Sequence, residues 1–547
     1  MKLVIGCLNS KYIHASLSPW CLLAGVRQFC KSDVTATVCE GTINADLDSF
    51  VNQLPIADAY AFSCYIWNIE QTLYVCQKIK QKYNARIILG GPEVAYRAKD
   101  VLEQYEFVDF VLSGEGEFNL PKLLDAMVLS SGFETVDGLS YRKNESIVSI
   151  VENEYNVTPP NPYCDEFFEN LNGRICYIET SRGCPYRCAF CLSGRCSPLR
   201  FFDIDTVKEN ILRLANSGTK TVKFVDRTFN ANYTRANEIL LFIKENYGTK
   251  IPDGVCFHFE IAGDILRKET LEILKSMPLR AVQLEIGMQS FNEETLKTIN
   301  RKTDTKKLIE NIKTLLSFNN MHIHIDLIAG LTGEGMQSFR NSFNIGYNLN
   351  AHMLQMGFLK LLYGSDMREN SKKYPCEYSD KPPYEVTSTP WLSKEEILKL
   401  KNCEDALERL YNSGRFLMTI GYLIEKLGIE PFDLFFEFGN VVNGNNTSLS
   451  QYAEKIYTYF KSRCDSAILR EKIVCDLIAC GAEKDIPECL KIKDPLYKKV
   501  KAELKNTMGN DFGFAILYSQ KQIFVVKQNE KTDLFNRKKG KYIALQQ

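Results

Sequence analysis

Along the first 130 residues, short apolar runs take turns with longer amphipathic ones. Lys2–Leu8, Val34–Cys39, Ala59–Tyr65, Arg86–Leu89 and Phe107–Leu112 are apolar almost throughout, as strands buried on both faces are. Between them lie helix-length segments such as Ile69–Tyr83, where Leu73, Cys76, Ile79 and Lys80 follow helical spacing. Such alternation predicts a doubly wound α/β sheet over residues 1–142, with ligands at the carboxyl ends of its strands. Those ends carry Asn9-Ser10-Lys11-Tyr12-Ile13-His14, Ser63-Cys64-Tyr65-Ile66-Trp67, Gly90-Gly91-Pro92-Glu93 and Ser113-Gly114-Glu115-Gly116-Glu117.

Residues 143–172, with Thr158-Pro159-Pro160-Asn161-Pro162, read as an irregular linker. A second alternating series follows: Cys176–Thr180, Thr221–Val225, Val255–Ile261, Ala281–Ile286, His322–Ile328 and Met353–Lys360. Six strands with intervening helices predict a partial β/α barrel over 173–370, with its chemistry at the strands' carboxyl ends. Residues 371–547 predict a mostly helical domain, with helical segments at Leu392–Phe416 and Leu449–Arg463. A closing hairpin is expected at Phe514–Tyr518 and Gln522–Val526. The charges of Lys394–Arg409 read as a solvated face, and the domain as a cap that shapes a substrate pocket.

Composition narrows this picture a little. The chain of 547 residues is 45% hydrophobic and 24% charged, with formal net charge zero. These are globular values that suggest roughly three to four domains. Neutral charge gives no support for a nucleic-acid partner. No apolar stretch reaches membrane-spanning length, so no membrane is expected, and the start reads as a β-strand rather than a signal peptide. The 19 cysteines are mostly scattered singly, as in a reducing compartment, and a cytoplasmic protein is expected.

Cys184, Cys188 and Cys191 break that scatter, in Ser181-Arg182-Gly183-Cys184-Pro185-Tyr186-Arg187-Cys188-Ala189-Phe190-Cys191. Independent placement of the cysteines would give this spacing about 0.02 times per chain. The triplet follows the first strand of the second series, where a barrel places its chemistry. A structural zinc site is the competing reading, with Cys196 as fourth ligand.

The triplet and its surroundings resemble the radical S-adenosylmethionine (SAM) superfamily. The resemblance implies that Cys184, Cys188 and Cys191 hold a [4Fe–4S] cluster whose open iron binds SAM. Other strand ends fit it: Glu260 at the third strand, and Gly287-Met288-Gln289-Ser290 at the fourth, similar to the family's Gly-x-Gln-Ser segment. By the same resemblance Phe190 contacts adenine, and Asp226 and Arg227 lie near SAM and substrate.

A doubly wound domain ahead of such a barrel resembles the cobalamin-binding class of this superfamily. The resemblance implies a flavodoxin-like cobalamin domain, with Gly90-Gly91-Pro92-Glu93 and Gly114-Glu115 against the corrin ring and Ser63 and Tyr65 hydrogen-bonded to the cofactor. Many cobalamin proteins carry Asp-x-His-x-x-Gly after the first strand. Here Asn9, Ser10, Lys11 and Tyr12 lead to His14 without that aspartate and glycine. His14 is then a cobalt ligand, a hydrogen-bonding group or a loop residue. Tyr65, Trp67 or Asn68 can instead cover the lower face.

The resemblance implies an enzyme that methylates an unactivated carbon through a 5′-deoxyadenosyl radical and methylcobalamin. A low-potential donor such as flavodoxin or ferredoxin would supply electrons, and the substrate is a small molecule, peptide or lipid. A cyclase or rearrangement enzyme with the same cofactors is one alternative. A cobalamin- or redox-responsive binding protein is another, of a different class.

Overall fold

The first apolar run forms β1 (Lys2–Asn9), buried at every position after Lys2. In this computed structural model, which describes residues 1–195, 199–442 and 447–545, it is the second strand of a seven-stranded sheet. With β2 (Thr35–Thr42), β3 (Ala59–Ser63), β4 (Arg86–Gly90), β5 (Phe110–Leu112), β6 (Leu139–Lys143) and β7 (Ser146–Ser149), the order is β2-β1-β3-β4-β5-β6-β7. The first five are parallel. The helix expected at Ile69–Tyr83 spans those residues and ends on Asn84 in the left-handed conformation, a backbone state asparagine tolerates. Its Val75, Cys76 and Ile79 pack with Tyr60, Phe62 and Leu89 in the core of this sheet.

The segment read as an irregular linker is partly regular. β7 pairs antiparallel with β6 through a turn in which Asn144 has φ of 55°, and residues Asp165–Leu171 form a helix. β7 is four residues long and fully buries none of them, so it leaves no apolar run to read.

All six strands of the second series are present: β8 (Cys176–Ile178), then, after the short pair β9 (Ser181–Arg182) and β10 (Arg200–Phe201), β11 (Thr221–Phe224), β12 (Cys256–Ile261), β13 (Val282–Gln289), β14 (His322–Ala329) and β15 (Met353–Phe358). The chain divides into two compact units. The first holds Met1–Leu284, Lys297–Asp304 and Leu359–Thr387; the second holds Glu285–Leu296, Thr305–Phe358 and Ser388–Gln547.

In the first unit β11 lies between β8 and β12, parallel to both. Asn230 ties the ends of β11 and β12 together, giving its amide to the Ala262 carbonyl at 2.8 Å and accepting the Ala262 N–H at 2.9 Å. The stretch Leu359–Thr387 folds back onto the amino-terminal sheet. Tyr384, 2% exposed, donates its hydroxyl to Glu93, 3% exposed, and Arg97 completes an ion pair with Glu93 at 2.9 Å. A buried carboxylate needs such partners.

In the second unit β14 and β15 pair in parallel. The helix Lys394–Leu407 starts at a Ser393/Glu396 capping box and buries Ile397, Leu400, Cys403 and Leu407, leaving its charges on the other face. The helix Leu417–Leu427 begins on the buried Asp476 carboxylate, which accepts from the Met418 and Thr419 N–H groups and pairs with Arg537 at 2.8 Å. The expected hairpin is there and gains a strand, in an antiparallel meander of Phe512–Leu517, Gln522–Lys527 and Lys541–Ala544. Among the described residues no helix is long and apolar enough to cross a membrane.

Candidate functional site

The cysteine loop leaves the carboxyl end of β8, and the β9–β10 pair closes its base. Arg182 is held there by Glu179 at 2.7 Å, Glu117 at 2.6 Å and Glu115. Further along, the backbone is pinned on both sides. Ala189 N–H donates to the Ile299 carbonyl at 2.8 Å, Met367 N–H to the Ala189 carbonyl at 3.0 Å, and the Asn300 amide to the Arg187 carbonyl at 2.7 Å.

The three sulfurs face donors rather than apolar walls. Cys184 Sγ lies 3.4 Å from Thr228 Oγ1, Arg301 Nη1 donates to Cys188 Sγ at 3.9 Å, and the Ser193 N–H donates to Cys191 Sγ at 3.4 Å. Burial pushes the Cys188 thiol up, while the Arg301 guanidinium pulls it down. Donors on sulfur favour the thiolate form, which binds iron. Cys196 lies outside the described residues.

A cavity of about 510 Å³ opens at the carboxyl ends of β1, β3, β4 and β5. It collects most of the residues expected there: Asn9, Ser10 and His14, then Ser63, Tyr65 and Trp67, then Gly90, Gly91 and Gly114. Tyr65 and Trp67 stack with ring centroids 4.4 Å apart and planes within 4°, a flat aromatic wall. Gly91 has φ of 102°, and a Cβ there would meet the Cys64 carbonyl at 2.6 Å. At Gly90 a Cβ would meet only the Leu112 carbonyl, at 3.4 Å, so the space beside it belongs to the cavity.

Several expected residues fall elsewhere. Tyr12 is 64% exposed, with Arg174 over its ring. Lys11 and Pro92 do not line the cavity. Glu93 is committed to Arg97 and Tyr384, and Glu115 to Arg182 and Arg200. These two carboxylates hold parts of the chain together, a role that their place at strand ends does not reveal. Glu117, from the run Ser113–Glu117 expected at a strand end, lines the cavity, and so do Ser16, Ser18, Cys21, Tyr177, Glu179 and Arg182, which the sequence did not single out. Tyr177 and Glu179 alternate along β8 and its extension, and that period was the available signal.

Among residues expected near SAM, Arg227 also lines the cavity. Asp226 is buried and taken up by its own chain. Thr180 N–H and Thr180 Oγ1 donate to it at 3.0 and 2.7 Å, as does Ser181 Oγ. Burial lifts its pKa to about 6. Glu260 pairs with Lys223 at 3.5 Å, and Phe190 is half-buried. In the second unit, Gly287 lies within β13, and the strand ends in a tight turn at Gln289, φ of 66°, where Ser290 N–H donates to the Met288 carbonyl at 2.8 Å. Ser290 Oγ donates at 2.6 Å to the buried Glu334, which Ser342 also reaches at 3.2 Å. The Ser290 hydroxyl thus anchors the turn.

Comparison with known proteins matches these parts one by one. Residues 7–124 match the B12 binding domain, residues 178–344 the radical SAM superfamily, and residues 372–538 a protein family of unknown function, DUF4080. The chain therefore combines a cobalamin-binding domain with a radical SAM domain, and those domains imply cobalamin, a [4Fe–4S] cluster and SAM. The radical SAM match spans all three cysteines, and its fold is the α/β arrangement expected from the sequence.

Among relatives, the chain is 27% identical over 319 residues to 2-(S-pantetheinyl)-carbapenam-3-carboxylate methyltransferase of Streptantibioticus cattleyicolor, covering 52% of this chain and 44% of that one. It is 24% identical over 314 residues to the anaerobic magnesium-protoporphyrin IX monomethyl ester cyclase of Cereibacter sphaeroides, covering 54% and 50%. The chain thus spans about half the length of these curated relatives. The solved structure of the cobalamin-dependent SAM radical enzyme OxsB with aqua-cobalamin bound is similar in fold, with a TM-score of 0.61 and 15% identity, covering 93% of this chain and 84% of that one.

The residues present fit both implied groups. Three sulfurs with N–H, hydroxyl and guanidinium neighbours suit a cluster. A cavity with paired glycines, one stacked aromatic pair and polar rims suits a large, flat, amide-edged ring.

Proposed function

We propose that this chain is a cobalamin-dependent radical SAM methyltransferase acting on an unactivated carbon. One observation carries the reading. The cavity at the strand ends of the cobalamin-binding domain is lined on its far side by Tyr177, Glu179, Arg182 and Arg227, from the start of the radical SAM domain. A group held there is open to both domains.

When bound, cobalamin supplies a methyl carrier, and the cluster with SAM supplies a radical able to take hydrogen from carbon. The chain's own residues do the rest. Cys184, Cys188 and Cys191 hold the cluster, and Arg301, Thr228 and the Ser193 N–H stabilise charge on their sulfurs. Glu260, at the end of β12, would help hold SAM. Tyr65 and Trp67 would offer the corrin a flat wall, the glycines would allow close approach, and Ser63, Asn9 and Ser10 would supply polar groups to hold it. Arg182, locked by its carboxylates, keeps the cysteine loop against the cavity.

The substrate is a small molecule, peptide or lipid. A flavodoxin or ferredoxin supplies electrons, in a cytoplasm where the described cysteines outside the cluster triplet stay free thiols.

The test is iron, sulfide and cobalt content of anaerobically purified protein, beside a variant with all three cysteines changed to alanine. About four irons lost in the variant with roughly one cobalamin retained supports the reading. Iron without cobalamin, even after reconstitution, refutes it. The similarity to the cyclase favours a second outcome, ring closure with the same cofactors. A product heavier by one methyl decides for transfer, and failure to make 5′-deoxyadenosine from SAM would point to a binding protein.

A further inference from the structure

A second cluster of ligating groups lies in the second unit, apart from the cysteines. Strands send alternate side chains to opposite faces. On β14 that puts His324 and Asp326 on one face, and on β13 it puts Glu285 on the same face as Gly287 and Gln289. Glu285, His324 and Asp326 each offer one ligand atom, and the three atoms lie within 4.8 Å of one another.

His324 is 7% exposed. Its Nε2 stands 2.9 Å from Asp326 Oδ1, yet that nitrogen makes no hydrogen bond of acceptable geometry. The close approach therefore lacks the alignment that a shared proton would impose. It is the spacing expected of two neighbouring ligands on one ion. Atoms about 2.1 Å from a common metal and at right angles to each other are separated by about 3.0 Å. The donor set is one imidazole and two carboxylates, and with the imidazole neutral it matches the charge of a divalent ion.

We propose that Glu285, His324 and Asp326 bind one divalent first-row transition ion, whose remaining positions accept an oxygen or nitrogen donor of the substrate. Mixed nitrogen and oxygen ligation suits zinc, iron(II) or manganese(II) better than calcium or magnesium. Glu285 lies two residues before Gly287 on the same strand face, so the ion sits beside the turn expected near SAM. There it acts as a Lewis acid that fixes and polarises a substrate oxygen. This site does not depend on the methyl-transfer reading, and its test counts a metal that belongs to neither cobalamin nor the cluster.

Manganese(II) is the probe, because it avoids thiols and its free aqua ion has a sharp EPR spectrum. The full-length protein with oxidised, diamagnetic cluster is titrated with it. About one bound ion per chain is expected, displaced by zinc, with affinity at least about tenfold weaker in His324→Gln and in Asp326→Asn. Glu285→Gln provides a third variant should either of those fail to fold, which circular dichroism reports. No saturable binding, or equal binding in wild type and every folded variant, overturns the proposal.

Discussion

His14 Nδ1 and the Tyr177 hydroxyl lie 2.6 Å apart, joining the loop after β1 to β8 across 163 positions of sequence. Burial lowers the His14 pKa below its ordinary value, and Lys11 and Lys223 lower it further. Burial pushes the Tyr177 hydroxyl up to about 12. The pair is therefore a neutral hydrogen bond at pH 7, and it occupies His14 Nδ1. Tyr177→Phe should cost about 1 kcal/mol in urea unfolding at pH 7. Because the unfolded imidazole takes a proton more readily than the folded one, stability should fall with pH below about 6.5. His14→Gln should flatten that part of the profile.

Two adjacent glycines should behave differently. Gly91→Ala meets a carbonyl at 2.6 Å with φ of 102°, so it should lower thermal stability whether or not cobalamin is present. Gly90→Ala meets only an ordinary contact at 3.4 Å. It should fold normally and weaken cobalamin binding roughly tenfold, seen in the cofactor's visible absorption. Equal affinity in Gly90→Ala and wild type would remove that glycine from the ring-binding surface.

Asp226 has a folded pKa of about 6, above its unfolded value. The folded state keeps a proton that the unfolded state has lost, so this group's contribution to stability falls as pH rises from about 4 to about 6. Asp226→Asn should remove that slope. Asp226→Ala should cost about 1–3 kcal/mol, since it strands the Thr180 and Ser181 donors. Denaturation at pH 4.5 and pH 7 separates the two variants.

Glu334 is fully buried among Ser290, Ser338 and Ser342, and burial lifts its pKa to about 7. Glu334→Ala should loosen the turn at Gln289 and weaken SAM binding roughly tenfold, with iron content unchanged. Glu334→Gln, which keeps an acceptor for Ser290, should recover most of that affinity. Calorimetric titration of SAM into cluster-loaded protein measures both.

Most strands were legible because parallel strands bury both faces, and β1, β3 and β4 accordingly read as unbroken apolar runs. The helix Ile69–Tyr83 was readable to the residue because its stripe and its terminal Asn84 agree. β7 was not, since a short half-exposed edge strand has no signature beyond its turn. The cysteine loop and the cavity glycines were legible as local patterns. Glu93, Glu115 and Asp226 were not, because a carboxylate's partner decides between ligand and brace. Those partners, Tyr384, Arg200 and Thr180, lie up to 291 positions away. Cys21 and Glu117 face the cavity from helices whose orientation is set only by packing on the sheet.

The bond from Tyr384 to Glu93 limits how the chain can be dissected. A fragment ending at residue 172 would contain the whole cobalamin-binding match, yet would lose the strap that closes over Glu93 and turn an interior carboxylate into a surface one. The matched B12 binding domain, residues 7–124, is thus smaller than the set of residues that keeps Glu93 interior. Module swaps at the linker would keep the ancestry of the domain and forfeit its integrity.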